Sequence, residues 1–299
     1  MPDYHVEGHK ITASRLPAGL YVVATPIGNL SDITLRALDT LAGADIIACE
    51  DTRVSGKLLK RYSIDTPMIA YHEHNASRVG PTLIEKLQSG RSVALISDAG
   101  TPLVSDPGNR LVVDARTAGI PVIPIPGASA SIAALSAAGM PAENFFFEGF
   151  LPSKAVARKK RLDELAQIPA TLIIYESPNR LAACLQDIAD CLGPERQVAI
   201  CREITKLHEE FVRDTAHQLA SRYRDLKVKG EIVLLVEPPD GQSEINIADL
   251  LSDLLEEMSV SRAASEAASI TGLPKREIYR QALELAQDKT TGKSEKDEN

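Results

Sequence analysis

The chain has 299 residues, 33 Lys and Arg against 41 Asp and Glu for a formal net charge of -8, 44% hydrophobic side chains and no Trp. That length holds two domains at the usual scale of roughly 100 to 200 residues each, and the acidic balance excludes a protein that grips nucleic acid over a broad basic surface. No apolar run approaches the roughly 20 residues of a membrane span, and Asp3, His5, Glu7 and His9 precede any apolar stretch, unlike a signal peptide, so a cytosolic protein with no membrane partner is expected.

Residues 1–18 read as an N-terminal tail. The globular part opens with an apolar strand, Leu20 to Ala24, then the loop TPIGNLSD, Thr25 to Asp32, and a helical run from Thr34 to Leu41. This loop has one glycine where a dinucleotide fingerprint needs three, and no phosphate-cradling G-x-x-x-x-G-K-[ST] occurs in the chain, so nucleoside triphosphate hydrolysis has no candidate loop. Apolar strands at Ile46 to Cys49, Met68 to Tyr71, Val93 to Ile96 and Val122 to Ile125 alternate with helical stretches, which predicts a parallel sheet with right-handed crossovers over 19–142. His72-Glu73-His74-Asn75 resembles a ligand cluster, but alternate histidines in a strand-end loop need not converge on one ion, and no metal is expected. Cys49, Cys184, Cys191 and Cys201 sit in apolar patterns without a C-x-x-C pair and read as buried thiols of a reducing compartment.

The stretch SVALISDAGTPLVSDPG, Ser92 to Gly108, carries the most information. Val93 to Ile96 run without alternation, as in a strand covered on both faces. Asp98, Ala99, Gly100 and Thr101 follow as a strand-end loop whose small residues leave backbone groups open to a ligand, the arrangement by which an open α/β sheet builds a crevice. Asp106 and Pro107 read as the cap and first residue of the next helix. Ser129 and Ala130 open a helix in the neighbouring crossover.

Pro141 to Asn144 breaks the rhythm. Strands follow at Phe145 to Phe150, Thr171 to Tyr175, Gln197 to Arg202, Glu210 to Thr215 and Glu231 to Val236, with only two long helices, Lys154 to Ala166 and Asn179 to Cys191, which predicts a mixed sheet over 143–240. Positive charge is concentrated in three places: Lys154, Arg158, Lys159, Lys160 and Arg161; Arg222, Arg224, Lys227 and Lys229; and Lys275, Arg276 and Arg280. Any one of them is an ordinary solvated helix face, but together they make local phosphate contact plausible, and Lys154, Arg158, Lys159, Lys160 and Lys206 are the candidate RNA contacts. After the breaker Pro238-Pro239-Asp240-Gly241, helices at Ala248 to Met258, Ser261 to Ser269 and Lys275 to Leu285, with a turn at Thr271-Gly272-Leu273-Pro274, outline a helix-turn-helix-like module over 245–286. A packing bundle fits the same pattern. Residues 287–299 are charged and nonaromatic, the composition of a disordered tail.

TPIGNLSDIT (25–34), ACEDTR (48–53), SDAGTPLVSDPG (97–108), PIPGASA (124–130), FEGFLP (147–152), YESPNR (175–180) and CREITKLHEEF (201–211) occur in this order. Together they resemble the ribosomal RNA small-subunit 2'-O-methyltransferase branch of the tetrapyrrole-methylase-like, class III S-adenosylmethionine enzymes. The resemblance implies two α/β domains with S-adenosyl-L-methionine bent into the cleft between them, usually in a homodimer. It also implies methylation of a cytidine ribose in the decoding region of 16S ribosomal RNA, within a ribosomal particle in the cytoplasm. Tetrapyrrole methylases carry a Gly-rich first loop where this chain has Thr25-Pro26-Ile27-Gly28, which favours the RNA branch over a porphyrin-like substrate. A small-molecule methyltransferase and a nonenzymatic RNA-binding assembly protein on the same fold are the alternatives.

A cofactor without phosphate needs backbone groups and a few polar side chains in an apolar pocket, which Asp98, Ala99, Gly100, Thr101, Ser129 and Ala130 can supply. By resemblance, Pro26, Tyr175, Gly230 and Glu231 complete the site. Glu50, Asp51, Arg53, Glu176, Arg202, Glu203 and Lys206 lie at or just beyond strand ends and are the candidates for orienting ribose or phosphate or for removing a proton. Asp51 before Thr52 also has the form of a helix cap.

Overall fold

The computed structural model describes residues 2–105, 108–239, 247–271 and 274–294. Contacts divide the chain into two compact units, Met1–Pro238 and Pro239–Asn299.

The chain opens as a hairpin where a tail is expected: β1 (Asp3–Val6) pairs antiparallel with β2 (His9–Thr12). Glu7 and Gly8 between them both have positive φ, 51° and 82°, as a tight two-residue hairpin turn requires. Tyr4 anchors the hairpin in the core beside Leu38, Leu41 and Tyr62, and the His5 amide donates to the Tyr62 carbonyl at 2.8 Å.

The first sheet contains β3 (Gly19–Val23), β4 (Ile46–Cys49), β5 (Met68–Ala70), β6 (Ser92–Ile96) and β7 (Val122–Ile125), all parallel in the order β5-β4-β6-β3-β7. Helices α1 (Leu35–Gly43) and α2 (Thr52–Arg61) cover one face, and α3 (Ala76–Gln88) with α4 (Asn109–Thr117) the other. Ala94 and Ile96 face the first layer and Val93 and Leu95 the second, which is why β6 lacks alternation. The connection after β3 runs toward one edge of the sheet and the connection after β6 toward the other, so the crevice opens at the carboxyl ends of these two neighbours. The expected cap at Asp106 and Pro107 lies outside the described residues.

Helix α5 (Ala130–Ala137, ASIAALSA) leaves the first sheet and lies on the second, where Ala134 and Leu135 pack against Ile173, Ala199, Cys201, Val233 and Leu235. That sheet contains β8 (Phe145–Phe150), β9 (Thr171–Glu176), β10 (Gln197–Arg202), β11 (Glu210–Thr215) and β12 (Ile232–Val236), in the order β11-β10-β12-β9-β8. Only β8 and β9 are parallel, so the sheet is mixed as expected. Its far face is covered by α6 (Ala155–Leu165), α7 (Leu181–Leu192) and a third helix, α8 (Ala216–Tyr223), which the sequence reading misses. The Thr215 hydroxyl caps α8 by accepting from the Gln218 amide at 3.3 Å.

Helix α6 departs from the expected RNA-facing role. Arg158 is buried and its guanidinium meets the buried Asp187 carboxylate at 2.6 Å. Lys159 pairs with Asp190 at 2.7 Å and Arg161 with Glu148 at 2.7 Å. Amphipathic spacing alone does not reveal this, because the partners arrive on α7 and β8. Among the described residues, Lys154 and Lys160 of the cluster are exposed and have no ion pair.

The second unit has α9 (Ile247–Glu257), α10 (Val260–Thr271) and α11 (Lys275–Ser294) around a core of Leu251, Ala263, Ala264, Ala267, Ile278 and Ala282. Helix α11 continues to Ser294, so the segment read as a disordered tail from Gln287 is helical through that residue. Gly272 and Leu273 of the expected turn lie outside the described residues. Among the described residues no helix is long and apolar enough to cross a membrane.

Removing one partner of a buried ion pair leaves the other charge uncompensated, at about 3 to 5 kcal/mol. Arg158→Ala should therefore lower the thermal midpoint strongly, whereas Arg158→Met combined with Asp187→Leu should restore most of it. Equal melting of Arg158→Ala and the parent protein would show that the pair does not hold α6 on α7.

Candidate functional site

Three loops at the carboxyl edge of the first sheet are pinned to one another. Thr25 and Gly100 exchange backbone hydrogen bonds at 2.9 and 3.0 Å, the Thr25 hydroxyl donates to the Ser97 carbonyl at 3.2 Å, and the Thr101 hydroxyl donates to the Ala128 carbonyl at 3.2 Å. Gly100 has φ of 76°, a conformation that glycine adopts without strain. The strand-end loops of β3, β6 and β7 thus form a single rigid wall.

A cavity of about 390 Å³ lies between this wall and the second sheet. Ala99, Gly100, Thr101, Ser129 and Ala130 line it from one side, and Tyr175, Gly230 and Glu231 from the other. Of the predicted cofactor residues only Pro26 and Asp98 are absent from the lining. Asp98 instead accepts a hydrogen bond from the Asp51 amide at 3.1 Å. Ile27, Val104, Ser105, Phe150, Ser177 and Ile204 also line the cavity; none is a candidate on sequence grounds, although all six fall inside the quoted motifs.

Strand alternation sorts the two residues that end β9. Tyr175 faces inward with Ile173, stacked edge-on against Phe147 at 5.1 Å and Phe150 at 5.7 Å between ring centres. Glu176 is buried, and burial together with its carboxyl pushes up the thiol of Cys184 on α7. Its Oε1 accepts from the Ser177 amide at 2.7 Å and meets Arg180 Nε at 3.3 Å, while Arg180 donates to the Leu151 and Pro152 carbonyls at 2.8 and 3.1 Å. Glu176 therefore braces two wall segments and itself borders the cavity.

The rim of the second sheet is organised by charge. Glu203 accepts from Lys206 Nζ and from the Glu231 amide, both at 2.9 Å, and Lys206 reaches Glu231 Oε2 at 2.9 Å. Burial opposes a charge on Lys206, yet the hydrogen bonds to Glu203 and Glu231 carry its pKa above the ordinary lysine value. The Lys206 bond and then the Glu231 amide hold the Glu203 carboxyl below the ordinary range. Lys206 is thus a held cation and a poor proton acceptor. Its stem crosses Gly28, where a Cβ would come within 2.6 Å of Lys206 Cγ, and the Asn29 amide donates to the Thr205 hydroxyl at 3.1 Å. The first loop of one sheet and the rim of the other are locked here.

The remaining candidates stand outside the cavity. Asp51 caps α2 by accepting from the Arg53 amide at 2.8 Å, and the Arg53 side chain, followed by that amide, holds its carboxyl down to about 2. Glu50 is half-buried at the end of β4. Arg202 donates to Glu210 at 2.9 Å and to the Lys229 carbonyl at 3.3 Å. The His72 and His74 rings meet edge-on at 6.0 Å, and no set of three or more His, Cys, Asp or Glu among the described residues is placed to hold a metal.

The family described as Tetrapyrrole (Corrin/Porphyrin) Methylases matches residues 19–220, and that described as RsmI C-terminal HTH domain matches residues 242–286. The chain is 56% identical over 279 residues to a ribosomal RNA small subunit methyltransferase I of Mesorhizobium japonicum, spanning 92% of this chain and 95% of the relative. The protein of the same name from Vibrio cholerae is 48% identical over 271 residues, spanning 89% and 94%. Among solved structures, a diphthine synthase aligns with a TM-score of 0.59 at 16% identity, over 73% of this chain and 89% of that one. A cobalt precorrin-4 methyltransferase aligns with a TM-score of 0.57 at 18% identity, over 73% and 94%. At such identity these structures speak for the fold alone.

At Gly230, with φ of 98°, an added Cβ would lie 2.4 Å from Glu203 Cγ. Gly230→Ala should therefore displace Glu203 and loosen Lys206, deforming the cavity rim while both sheets stay folded. The expected result is weaker ligand binding in calorimetry at near-native circular dichroism. Undiminished affinity would mean that this rim is not part of the site.

Proposed function

Since the chain belongs to the tetrapyrrole (corrin/porphyrin) methylase family and matches ribosomal RNA small subunit methyltransferases I over nearly its whole length, we propose that it methylates 16S ribosomal RNA with S-adenosyl-L-methionine, at a cytidine ribose 2'-oxygen in the decoding region. The observation that carries this reading is that the relatives' likeness spans both the α/β unit and the helical module.

The site suits that methyl donor. The cavity is within the usual size of a small-molecule pocket, and its walls combine the hydroxyls of Thr101 and Ser129 with the small side chains of Ala99 and Ala130 and the Tyr175 ring. These residues and the backbone of Gly230 would hold the donor, which when bound supplies an activated methyl group. The chain's own work is then orientation. Holding two groups at reacting distance can contribute about 7 to 11 kcal/mol at the upper end. Lys206, kept charged by Glu203 and Glu231, is suited to fix a ribose or phosphate oxygen at the rim. Exposed Lys154 and Lys160 are further candidates for RNA contact. On the family resemblance, the working species is a homodimer acting in the cytoplasm on a ribosomal particle.

Purified protein should bind S-adenosylmethionine in calorimetry. It should also transfer labelled methyl to small subunits from a strain lacking the gene, with primer extension placing the mark on one cytidine of the decoding region. Transfer to a tetrapyrrole and not to RNA would overturn the reading. Ala99 is exposed in the cavity wall and outside the positive-φ positions, so Ala99→Leu fills the site without the strain that Gly100→Val would add. Binding should fall at least about tenfold, the effect of losing 1.4 kcal/mol, with the melting temperature unchanged.

The α/β unit and the helical module each carry their own core, so ending the chain after Gly241 should leave a folded protein that still binds S-adenosylmethionine but docks poorly on the subunit. Full methyl transfer by the shortened protein would remove the module from substrate docking.

A further inference from the structure

A basic segment leads from α8 into the cavity wall at Gly230. Arg222, Arg224, Lys227 and Lys229 fall within eight residues, with Asp225 as the one acid among them. All four cations are exposed, and none makes an ion pair with a described carboxylate. The contrast with α6 is direct, since there Arg158, Lys159 and Arg161 already have carboxylate partners. The neighbouring acids are also occupied: Glu203 and Glu231 by Lys206, Glu210 by Arg202, and Glu209 by the Thr205 amide.

The segment is fixed as well as charged. Tyr223 is buried, Val228 packs on the same core, and the Lys229 carbonyl accepts from Arg202 at 3.3 Å. These inward anchors alternate with cations that face solvent. Lys229 immediately precedes Gly230 and Glu231, both in the cavity wall, so the charges lead to the place where a methyl acceptor must enter.

We propose that the segment 222–229 is a docking surface for the phosphate backbone of the RNA substrate, seating the strand so that the target ribose reaches the cavity beside Gly230. This rests on the RNA-methylating reading above. Cations without internal partners hold a counterion atmosphere or a phosphate, and each phosphate neutralised steepens the salt dependence of binding by about 0.7 to 0.9 in logarithmic slope. Paired cations contribute little to that slope.

The test compares the full-length protein with the triple variant Arg224→Gln, Lys227→Gln, Lys229→Gln, and with the α6 variant Lys154→Gln, Lys160→Gln. Affinity for unmethylated small subunits is measured across a salt series, and S-adenosylmethionine binding by calorimetry. The triple variant should lose about 2 to 3 units of slope and bind the subunit more weakly while its cofactor affinity is unchanged. Arg224→Lys with Lys227→Arg should keep the parent slope. An unchanged slope in the triple variant, with the parent still binding in a salt-dependent manner, overturns this inference alone. A parent protein without salt-dependent affinity for the subunit overturns the RNA reading and the inference together.

Discussion

The site depends on one packing contact, the seating of α5 on the second sheet. A helix built as ASIAALSA begins in the crossover of the first sheet and ends against strands of the other. Its side chains are small enough for the backbone to lie close to Ala199, Cys201 and Val233, and larger ones would push the sheets apart and widen the cavity. Beyond the helix, Arg213 donates to the Gly139 carbonyl and the Thr171 hydroxyl donates to the Pro141 carbonyl at 2.6 Å, so the segment after α5 is tied to the sheet it enters. Ser129 and Ala130, at the start of the same helix, line the cavity. A wall of the site and the joint between the sheets are therefore one element.

A second lock joins the first loop to the rim of the second sheet. Gly28 admits the Lys206 stem, and Lys206 in turn joins Glu203 to Glu231. Because the lysine is held charged by two carboxylates, this lock is electrostatic where the α5 contact is apolar, and it is partly exposed to solvent. The apolar contact fixes the spacing of the walls, and the ionic one fixes the shape of the entrance.

Much of this was legible in the sequence, for a physical reason. Strands buried on both faces, such as β6 and β12, are continuous apolar runs, and the loops that follow β3, β6 and β7 are rich in small residues and proline because three backbones meet there. What escaped depends on partners remote in sequence. Arg158 reads as a surface cation until Asp187 arrives 29 residues later, and Glu176 reads as a free carboxylate until Arg180 and the Ser177 amide meet it. The first hairpin is short and half polar, and buried Tyr4, with Val6 and Ile11 packed on the same cluster, marks it as part of the core.

The fate of each charged side chain follows a rule. An arginine or carboxylate becomes structural when a neighbouring element brings its counterion, and burial then makes the pair costly to break. A cation stays available for a ligand when the elements around it contribute only apolar anchors. In α6 the helix packs on α7, which brings Asp187 and Asp190, and Arg158 and Lys159 are consumed. In 222–229 the anchors are Tyr223 and Val228, which bring no carboxylate, and the charges remain outward. Net charge cannot distinguish the two cases, since -8 is the sum over both. The distribution of internal partners can, and in 222–229 it leaves four cations without a described carboxylate partner, in a segment that runs into the cavity wall at Gly230.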